Sequence, residues 1–373
     1  MGNRKEGGVS RTVGFGEIMG RMNMPCYRRF AQGLPGSIEM SFAGAEANVC
    51  AAIRLLGQDS AFVTALPKHE VADACVMALM RLGVDVSHVM RVDEGRLGLY
   101  FVENGANQRS GKVIYDRQLS SIALTPPARY DWPAIFAGAT WFHISGITPA
   151  LSSVAAEASL DAIRNAKEHG LVVSCDLNFR KKLWNWDRGS APRELARRTM
   201  TRLLPYVDVL IGNEEDAEDV LGIKAGATDV SSGKLDIGRY PDVAERIHAM
   251  FPQIRKVAIT LRESVSASHN NWGAMLYDTA AREAHFAPAG TDGAYRPYEI
   301  RNIVDRIGGG DSFSGGLIYA MQDDQLRTSD KDIVAFAVAA SCLCHSIEGD
   351  FDYVSKAEVL ALAKGDSSGR VKR

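Results

Sequence analysis

The chain has 373 residues, of which 46% are apolar, and its 43 basic and 45 acidic residues leave a formal net charge of −2. This balance excludes the global positive field that is typical of nucleic-acid-binding proteins. No apolar run reaches the roughly 20 residues of a membrane helix, and the polar start has no apolar signal core, so the sequence predicts a cytoplasmic protein that binds neither membrane nor nucleic acid.

Strands and helices alternate along most of the sequence. Strands are predicted at TVGFGEIM, SAFVTAL, ATWFHISG, LVVSCDLN, VDVLIGN and KVAITL, with helical patterns such as AEANVCAAIRLLG and SVAAEASLDAIRNAKEHG between them. These strands are continuous apolar runs, as in a parallel sheet that is buried on both faces. The pattern predicts an α/β fold with a mainly parallel central sheet between two layers of helices.

Two segments interrupt this alternation. Residues 96–117 are predicted to form two strands joined by a polar turn, and about 28–42 another extended piece. Strands inserted without intervening helices predict a small β-sheet lid.

A single folded domain is expected at 13–365, between a disordered tail at 1–12 and a polar tail at 366–373. Polar loops at 223–242 and 287–300 have no predicted role.

The segment VDRIGGGDSFSGGLIYA carries the most informative local signal. Gly308, Gly309 and Gly310 follow the apolar residues NIVD, predicted as a strand, and Asp311 opens a helical pattern. Consecutive glycines let the backbone turn sharply, and amides at a helix start can converge on an anion. The alternative is a tight turn in which Asp311 is only the helix N-cap.

A carboxylate beside an anion site favours catalysis over simple phosphate binding, because like charges repel. As a general base Asp311 would take a proton from a hydroxyl, which typically supplies about 10²–10⁴-fold in rate. The amides would stabilise the phosphoryl group during transfer. The sequence has no G-x-x-x-x-G-K-[ST] motif, which excludes a P-loop, and the third glycine of GFGEIMG lies one position late for a dinucleotide-binding turn.

The glycine segment resembles the signature D-T-x-G-A-G-D-x-F-x-x-G of the ribokinase-like (PfkB) sugar kinases. GEIMGRM, FAGAEANVCAAIRLLG with AFVTALP, and VLIGNEEDAEDVLG resemble other segments of that family in the right order. Within the family, GAEANV, SGITPALS, SCDLNFRKKLW, GNEEDAEDVLG, TLRES and RIGGGDSF together resemble kinases of 2-dehydro-3-deoxygluconate (KDG). The resemblance implies a ribokinase-like fold, ATP and Mg²⁺ as cofactors, and phosphorylation of the terminal (C6) hydroxyl of KDG under a closing lid.

The resemblance also implies a set of site residues. Asp311 corresponds to the catalytic base, and Gly308, Gly309 and Gly310 to the anion hole. The expected sugar contacts are Gly44, Asn48, Tyr100, Tyr115, Arg117, Arg180 and Asp350. The expected ATP contacts are Asn178, Thr260, Arg262, Glu263 and Ser264, with Arg180 also near the phosphates.

Residue chemistry alone leaves several of these assignments open. Arg117 and Arg180 suit bidentate binding of a carboxylate, which a neutral sugar lacks; alternatively, Arg117 pairs with Asp116 on an exposed strand. Gly44 and Asn48 alternatively cap the helix that follows. SIEGD and TLRES are alternatively ordinary exposed loops.

Three departures from the family pattern affect the implied ion sites. The family's N-x-x-E reads Asn213 to Asp216 here, so these two side chains are expected to hold Mg²⁺ through water. In the signature, Arg306 replaces threonine and Gly309 replaces alanine, which weakens any prediction of a monovalent-cation site beside that loop.

Several functions other than that of a KDG kinase are compatible with parts of the sequence. They are a neutral-sugar kinase of the same fold, such as a fructokinase or ribokinase, a 2-dehydro-3-deoxygalactonate kinase, a non-catalytic sugar-sensing relative, and a nucleotide-cofactor oxidoreductase. The intact Asp311 argues against the sensor, and the displaced glycine against the oxidoreductase. Pairing of two lids, as in related kinases, predicts a homodimer or a higher homo-oligomer.

Overall fold

Two β-sheets organise the structure, a computed structural model that describes residues 10–213, 215–224, 236–366 and 369. The strands are β1 (Arg11–Phe15), β2 (Met19–Asn23), β3 (Glu39–Ala43), β4 (Asp59–Pro67), β5 (Val89–Val92), β6 (Leu99–Glu103), β7 (Lys112–Asp116), β8 (Trp141–Ser145), β9 (Val172–Asp176), β10 (Val209–Asn213), β11 (Lys256–Ser266), β12 (His269–Asp278), β13 (Glu283–Ala287) and β14 (Tyr298–Ile300). The helices are α1 (Phe30–Gly33), α2 (Ala45–Leu56), α3 (Glu70–Arg81), α4 (Ser121–Leu124), α5 (Trp132–Ile135), α6 (Ser153–Glu168), α7 (Pro192–Leu203), α8 (Tyr240–Met250), α9 (Gly309–Gln322), α10 (Asp330–Cys344) and α11 (Lys356–Ala363).

The large sheet has the strand order β13-β12-β11-β10-β9-β8-β1-β4-β5, and β14 pairs with β12. Neighbours from β11 to β5 are parallel, whereas β12 is antiparallel to β11, β13 and β14. The carboxyl ends of the parallel strands therefore meet at one edge, which is where open α/β sheets bind ligands.

Helices cover both faces of this sheet. Side chains alternate along β11, so that Val257 and Ile259 lie in one apolar core with α6, α7 and α8, whereas Ala258 lies in another with α9 and α10. The predicted three-layer α/β fold with a mainly parallel sheet is confirmed. Every helix among the described residues is too short or too polar to span a membrane.

The small sheet has the order β3-β2-β6-β7, and β2 is parallel to β6 while the other neighbours are antiparallel. The separate small sheet is as predicted, but two strand assignments are wrong. TVGFGEIM is not one strand, because the chain bends between the sheets at Gly16, where a Cβ would lie 2.0 Å from Oε2 of Glu46. The predicted extended piece at 28–42 contains α1, and its strand begins only at Glu39.

The predicted termini also differ from the structure. β1 begins at Arg11, inside the tail expected at 1–12, because its backbone pairs with β4 and β8. Residues 1–9, 225–235 of the polar loop at 223–242, and most of the tail at 366–373 lie outside the described residues.

Candidate active site

A cleft of about 360 Å³ opens at the carboxyl edge of the large sheet. The small sheet contributes Tyr100 and Tyr115, and the large sheet contributes Asp176, Asn213 and Thr260 from β9, β10 and β11. The volume of the cleft lies in the range of sites that bind small molecules. Both sheets therefore border one candidate site.

Most residues predicted for the site line this cleft. They are Gly44, Asn48, Tyr100, Tyr115, Arg117, Asn178, Arg180, Asn213, Asp216, Thr260, Arg262, Gly308, Gly309, Gly310, Asp311 and Asp350. Glu263 and Ser264 do not line it.

The glycine turn forms the start of α9. Gly308 is the N-cap with φ of 88°, a left-handed conformation that favours glycine, and a Cβ there would lie 2.8 Å from the carbonyl oxygen of Asp350. At Gly310 a Cβ would meet no atom of another segment within 4 Å, so this residue borders open space. The unbonded amides of the first helical turn can therefore bind an anion from the cleft.

One local prediction and one alternative around this turn are wrong. Residues 302–305 form a loop rather than a strand, since β14 ends at Ile300 and the side chain of Asp305 bonds locally, accepting from the N–H of Ile307 at 3.1 Å. The helix N-cap is Gly308, so Asp311 lies within the first turn instead of capping it.

Asp311 is partly exposed and faces the cleft. The side-chain amide of Asn48 donates to its Oδ2 at 2.6 Å. Burial raises the pKa of Asp311 to about 7; the hydrogen bond from Asn48 and the charge of Arg180 oppose this rise, whereas the charge of Asp350 adds to it. A carboxyl group with a pKa near neutrality suits general-base catalysis.

Gly44 and Asn48 act together at the start of α2. Gly44 is the N-cap, and its N–H donates to Oδ1 of Asn48 at 3.2 Å, so the amide nitrogen of Asn48 points to Asp311. A Cβ on Gly44 would lie 1.9 Å from the carbonyl oxygen of Glu17, so the close approach requires glycine. Both residues therefore take part in the start of α2, and Asn48 in addition bonds the carboxylate of Asp311.

Arg117 is buried and forms an ion pair that the sequence did not indicate. Its Nε donates to Oε2 of Glu17 at 2.7 Å, whereas Asp116, the alternative partner, pairs with Arg96 at 2.6 Å. The second oxygen of Glu17, Oε1, is buried without a hydrogen-bond partner among the described residues. Arg117 and Glu17 both line the cleft.

Two buried carboxyl groups lie at the ends of neighbouring strands. Burial raises the pKa of Asp176 well above its ordinary value, and the charges of Asp216 and Asp311 add to this effect. Burial likewise raises the pKa of Asp216. The positive charge of Arg180, which is exposed in the cleft, partly opposes the rise of both pKa values. This concentration of carboxyl groups favours binding of a cation.

The predicted magnesium residues fit a cation only through water. Oδ1 of Asn213 accepts from the N–H groups of Glu215 and Asp216, and Oδ2 of Asp216 accepts from the N–H of Asn213 at 2.9 Å. No set of three metal-ligating side chains converges anywhere in the described ranges. Asp176 and Asp216 nevertheless supply oxygen donors, and Mg²⁺ usually keeps several waters beside one or two carboxylates.

The structure corrects the set of residues that the sequence predicted to contact ATP. The alternative that TLRES is an exposed loop is wrong, because β11 continues to Ser266 in an antiparallel hairpin with β12. Side chains alternate along that strand, so Glu263 lies on the opposite face from Arg262 and accepts from Asn271 at 2.9 Å. Ser264, on the same extension, lies beyond the lining of the cleft.

A buried charge cluster missed by the sequence analysis joins the small sheet to the glycine turn. Arg21 of β2 is 1% exposed and forms ion pairs with Asp305 and Asp350. The hydroxyl of Tyr100 donates to the other oxygen of Asp350 at 2.9 Å. Asp350 therefore holds two residues of the small sheet. Arginine side chains in short strands are usually exposed, so the sequence around Arg21 gives no indication that this residue is buried.

Other lining residues were also missed. Asp176 ends the buried parallel strand β9 and Glu17 comes shortly after β1, and those positions could have identified them. Trp272 and His345 come from an antiparallel strand and a helix end, and neither has a comparable signal. The ring of His345 would lie 2.9 Å from a Cβ on Gly309, so it supports the glycine turn.

Comparison with known proteins identifies the family. The model of the pfkB family of carbohydrate kinases matches residues 11–352. This chain belongs to the pfkB family. The predicted family is confirmed, and the protein is a kinase with a ribokinase-like fold.

Three relatives illustrate the similarity. A 2-dehydro-3-deoxygalactonokinase of Haloferax volcanii is 29% identical over 97% of this chain and 99% of its own length. The crystal structure of the 2-dehydro-3-deoxygluconokinase of Thermotoga maritima is 41% identical, with a TM-score of 0.84 over 95% of this chain and all of the other. A pfkB carbohydrate kinase structure from Listeria grayi is 30% identical, with a TM-score of 0.82 and the same coverage.

Proposed function

We propose that this kinase transfers the γ-phosphoryl group of ATP to the terminal (C6) hydroxyl of 2-dehydro-3-deoxygluconate. The observation that carries this proposal is the position of Asp311, whose pKa of about 7 is combined with the open amides of the glycine turn in one cleft. A base and an anion site at one helix start suit transfer of a phosphoryl group to an alcohol.

The reaction then follows from these groups. Asp311 takes the proton of the sugar hydroxyl while the oxygen of that hydroxyl forms a bond to the γ-phosphorus of ATP. The bond from that phosphorus to the bridging oxygen breaks, and ADP leaves with the electron pair. The amides of Gly309 and Gly310 stabilise the charge on the transferred group. Mg²⁺, held by Asp216 and Asn213 through water, would neutralise phosphate charge when bound.

The preference for an acidic sugar is supported by Arg180, because Nε and Nη2 of Arg117 already donate to Oε2 of Glu17. Arg180 is exposed in the cleft, and Arg117 is held by Glu17 beside Tyr115. Guanidinium groups bind carboxylates in a planar, bidentate geometry, and a neutral sugar offers no such partner. Tyr100, Asn48, Gly44 and Asp350 are proposed to contact the sugar, and Asn178, Thr260 and Arg262 the ATP.

A 2-dehydro-3-deoxygalactonate kinase is a second candidate. It is favoured by the Haloferax relative, whose similarity covers almost the full length of both chains. The two substrates differ only in the orientation of one hydroxyl group, so both leave the roles of Asp311 and the arginines unchanged.

We also propose that the small sheet closes over the substrate and pairs with a second copy of the chain. β7 is exposed along its whole length, and Met40 and Ile114 expose 40% and 56% of their surface on this sheet. The six cysteines are free, which suits the reducing cytoplasm that we propose as the location. Size-exclusion chromatography with light scattering tests the pairing, and a monomer at micromolar concentration would contradict it.

A product assay tests the proposed function. The purified protein is incubated with ATP, Mg²⁺ and, separately, KDG, its galacto epimer, fructose and ribose, and phosphorus NMR identifies each product. We expect a 6-phosphorylated sugar acid with one ADP per product, and product formation that is slower by about 10²–10⁴-fold in Asp311→Asn. Faster phosphorylation of fructose or ribose would overturn the acidic substrate, and ADP formation without any phosphosugar would overturn sugar phosphorylation.

A further inference from the structure

Arg306 lies at the end of the cleft that the β11–β12 hairpin borders. Its guanidinium donates to Oδ1 of Asn270 at 2.9 Å and to the carbonyl oxygen of Ser266 at 3.4 Å. Both acceptors are neutral. They orient the guanidinium group but leave its positive charge uncompensated.

The charge of Arg306 faces another cation instead of an anion. Among the residues that the structure describes, no carboxylate lies within ion-pair distance of Arg306. Burial and the charge of Arg262 both lower the pKa of Arg306. Two guanidinium groups in one cleft repel each other, so an anion bound beside them would be stabilised.

The glycine turn lies close to this charge. Arg306 is two residues before Gly308, which limits their separation along the chain to about 7 Å. Both residues line the cleft. An anion at the turn is therefore within reach of the long arginine side chain, and amides and guanidinium would act on one group.

We propose that Arg306 binds the phosphate chain of the nucleotide opposite the amides of the glycine turn. This assignment rests on the proposed use of ATP. The carboxylate of the sugar acid is the less suitable partner, because Arg306 is bonded to the large-sheet hairpin, whereas Arg117 and Tyr100 at the other end come from the small-sheet region. Arg306 stands where the family signature has threonine, so it supplies a positive charge that threonine lacks.

Calorimetric titration of the full chain with ADP, ATP and adenosine, at fixed Mg²⁺ and salt and without sugar, tests this role. In Arg306→Met, we expect ADP and ATP affinity to fall about 10- to 100-fold, the range of a lost charged hydrogen bond. Adenosine affinity should stay unchanged. Arg306→Lys should recover part of the loss. Arg301→Met is the matched control, because Arg301 is an exposed arginine of the same loop, paired with Glu299.

The outcomes separate this proposal from its rivals. Unchanged ADP and ATP affinity in Arg306→Met would overturn it, and so would an equal loss for adenosine, which would indicate a general distortion. Weaker binding of the phosphorylated sugar with unchanged ADP binding would assign Arg306 to the product instead and also overturn it. Since no sugar is present in the nucleotide titrations, failure of the sugar-acid assignment does not affect them.

Discussion

The side-chain amide of Asn48 donates to the carboxylate of Asp311 at 2.6 Å, although 263 positions separate them in the chain. This bond joins the first turns of α2 and α9, and Gly44 holds the amide in the required orientation. It opposes the effect of burial on the pKa of Asp311. Asn48 therefore helps to set the pH at which the base becomes active.

The pH dependence of activity tests this relationship. Only the ionised Asp311 accepts a proton, so kcat/KM should rise with pH and level off above about 7. Asn48→Ala removes a donor to the carboxylate, which should shift the acidic limb to higher pH. Asn165→Ala, on α6, is the control. A limb near pH 4 in the wild type, the usual range for aspartate, would contradict the assignment.

Asp311→Asn should separate activity from stability. We expect kcat to fall by about 10²–10⁴-fold while ADP affinity persists. Because folding raises the pKa of Asp311 from 3.8 to about 7, the folded state favours the protonated form, and stability is lost as pH rises between these values. The variant should therefore be more stable than the wild type at pH 8, by about 1–3 kcal/mol, and similar at pH 4. Urea unfolding at both pH values measures this difference, and equal stability at pH 8 would contradict it.

Two glycines of the turn should respond differently to the same substitution. In Gly310→Ala the new methyl group meets no other segment, so stability should change by at most about 1 kcal/mol, but kcat should fall at least about 10-fold because the anion site is filled. Gly308→Ala should lower kcat and, in contrast to Gly310→Ala, should lower the free energy of unfolding by about 1–2 kcal/mol or more, because the φ angle of Gly308 is 88°. Thermal unfolding and kcat are measured for both. Full activity of Gly310→Ala would remove the turn from phosphoryl binding.

Removal of Arg180 tests recognition of the acidic group. Arg180→Met should raise the KM for KDG about 10- to 100-fold, as expected for a lost hydrogen bond between charged groups. The preference for KDG over fructose should fall with it. Lys181→Met, an exposed neighbour outside the cleft, should behave like the wild type. An unchanged KM for KDG in Arg180→Met would exclude this arginine from substrate binding.

The buried cluster around Arg21 should be costly to break. Arg21→Met leaves the carboxylates of Asp305 and Asp350 without their cation, and such a loss typically costs about 3–5 kcal/mol. Arg96→Met breaks only an exposed pair with Asp116, for which about 1 kcal/mol or less is expected. Urea unfolding compares the two variants. Equal losses would mean that the cluster does not anchor the small sheet.

The sequence predicted those elements whose pattern lies within a single segment of the chain. Apolar runs indicated the parallel strands, and the glycines with Asp311 marked one wall of the cleft. Partners that come from distant segments were missed, as for Arg117, whose ion pair with Glu17 spans 100 positions. An exposed loop was left open as an alternative for TLRES, yet β11 continues there by pairing with β12. Pairing between distant segments leaves little trace in either segment alone.

The chain crosses between the two sheets four times, before β2, after β3, before β6 and after β7. The first two crossings are residues 16–18 and Gly44. These two crossings touch, since a Cβ on Gly44 would lie 1.9 Å from the carbonyl oxygen of Glu17. Glu17 and Gly44 also line the cleft, so this contact lies in the wall of the site. A side chain at position 44 would therefore force the two crossings apart and displace the part of the small sheet that borders the pocket.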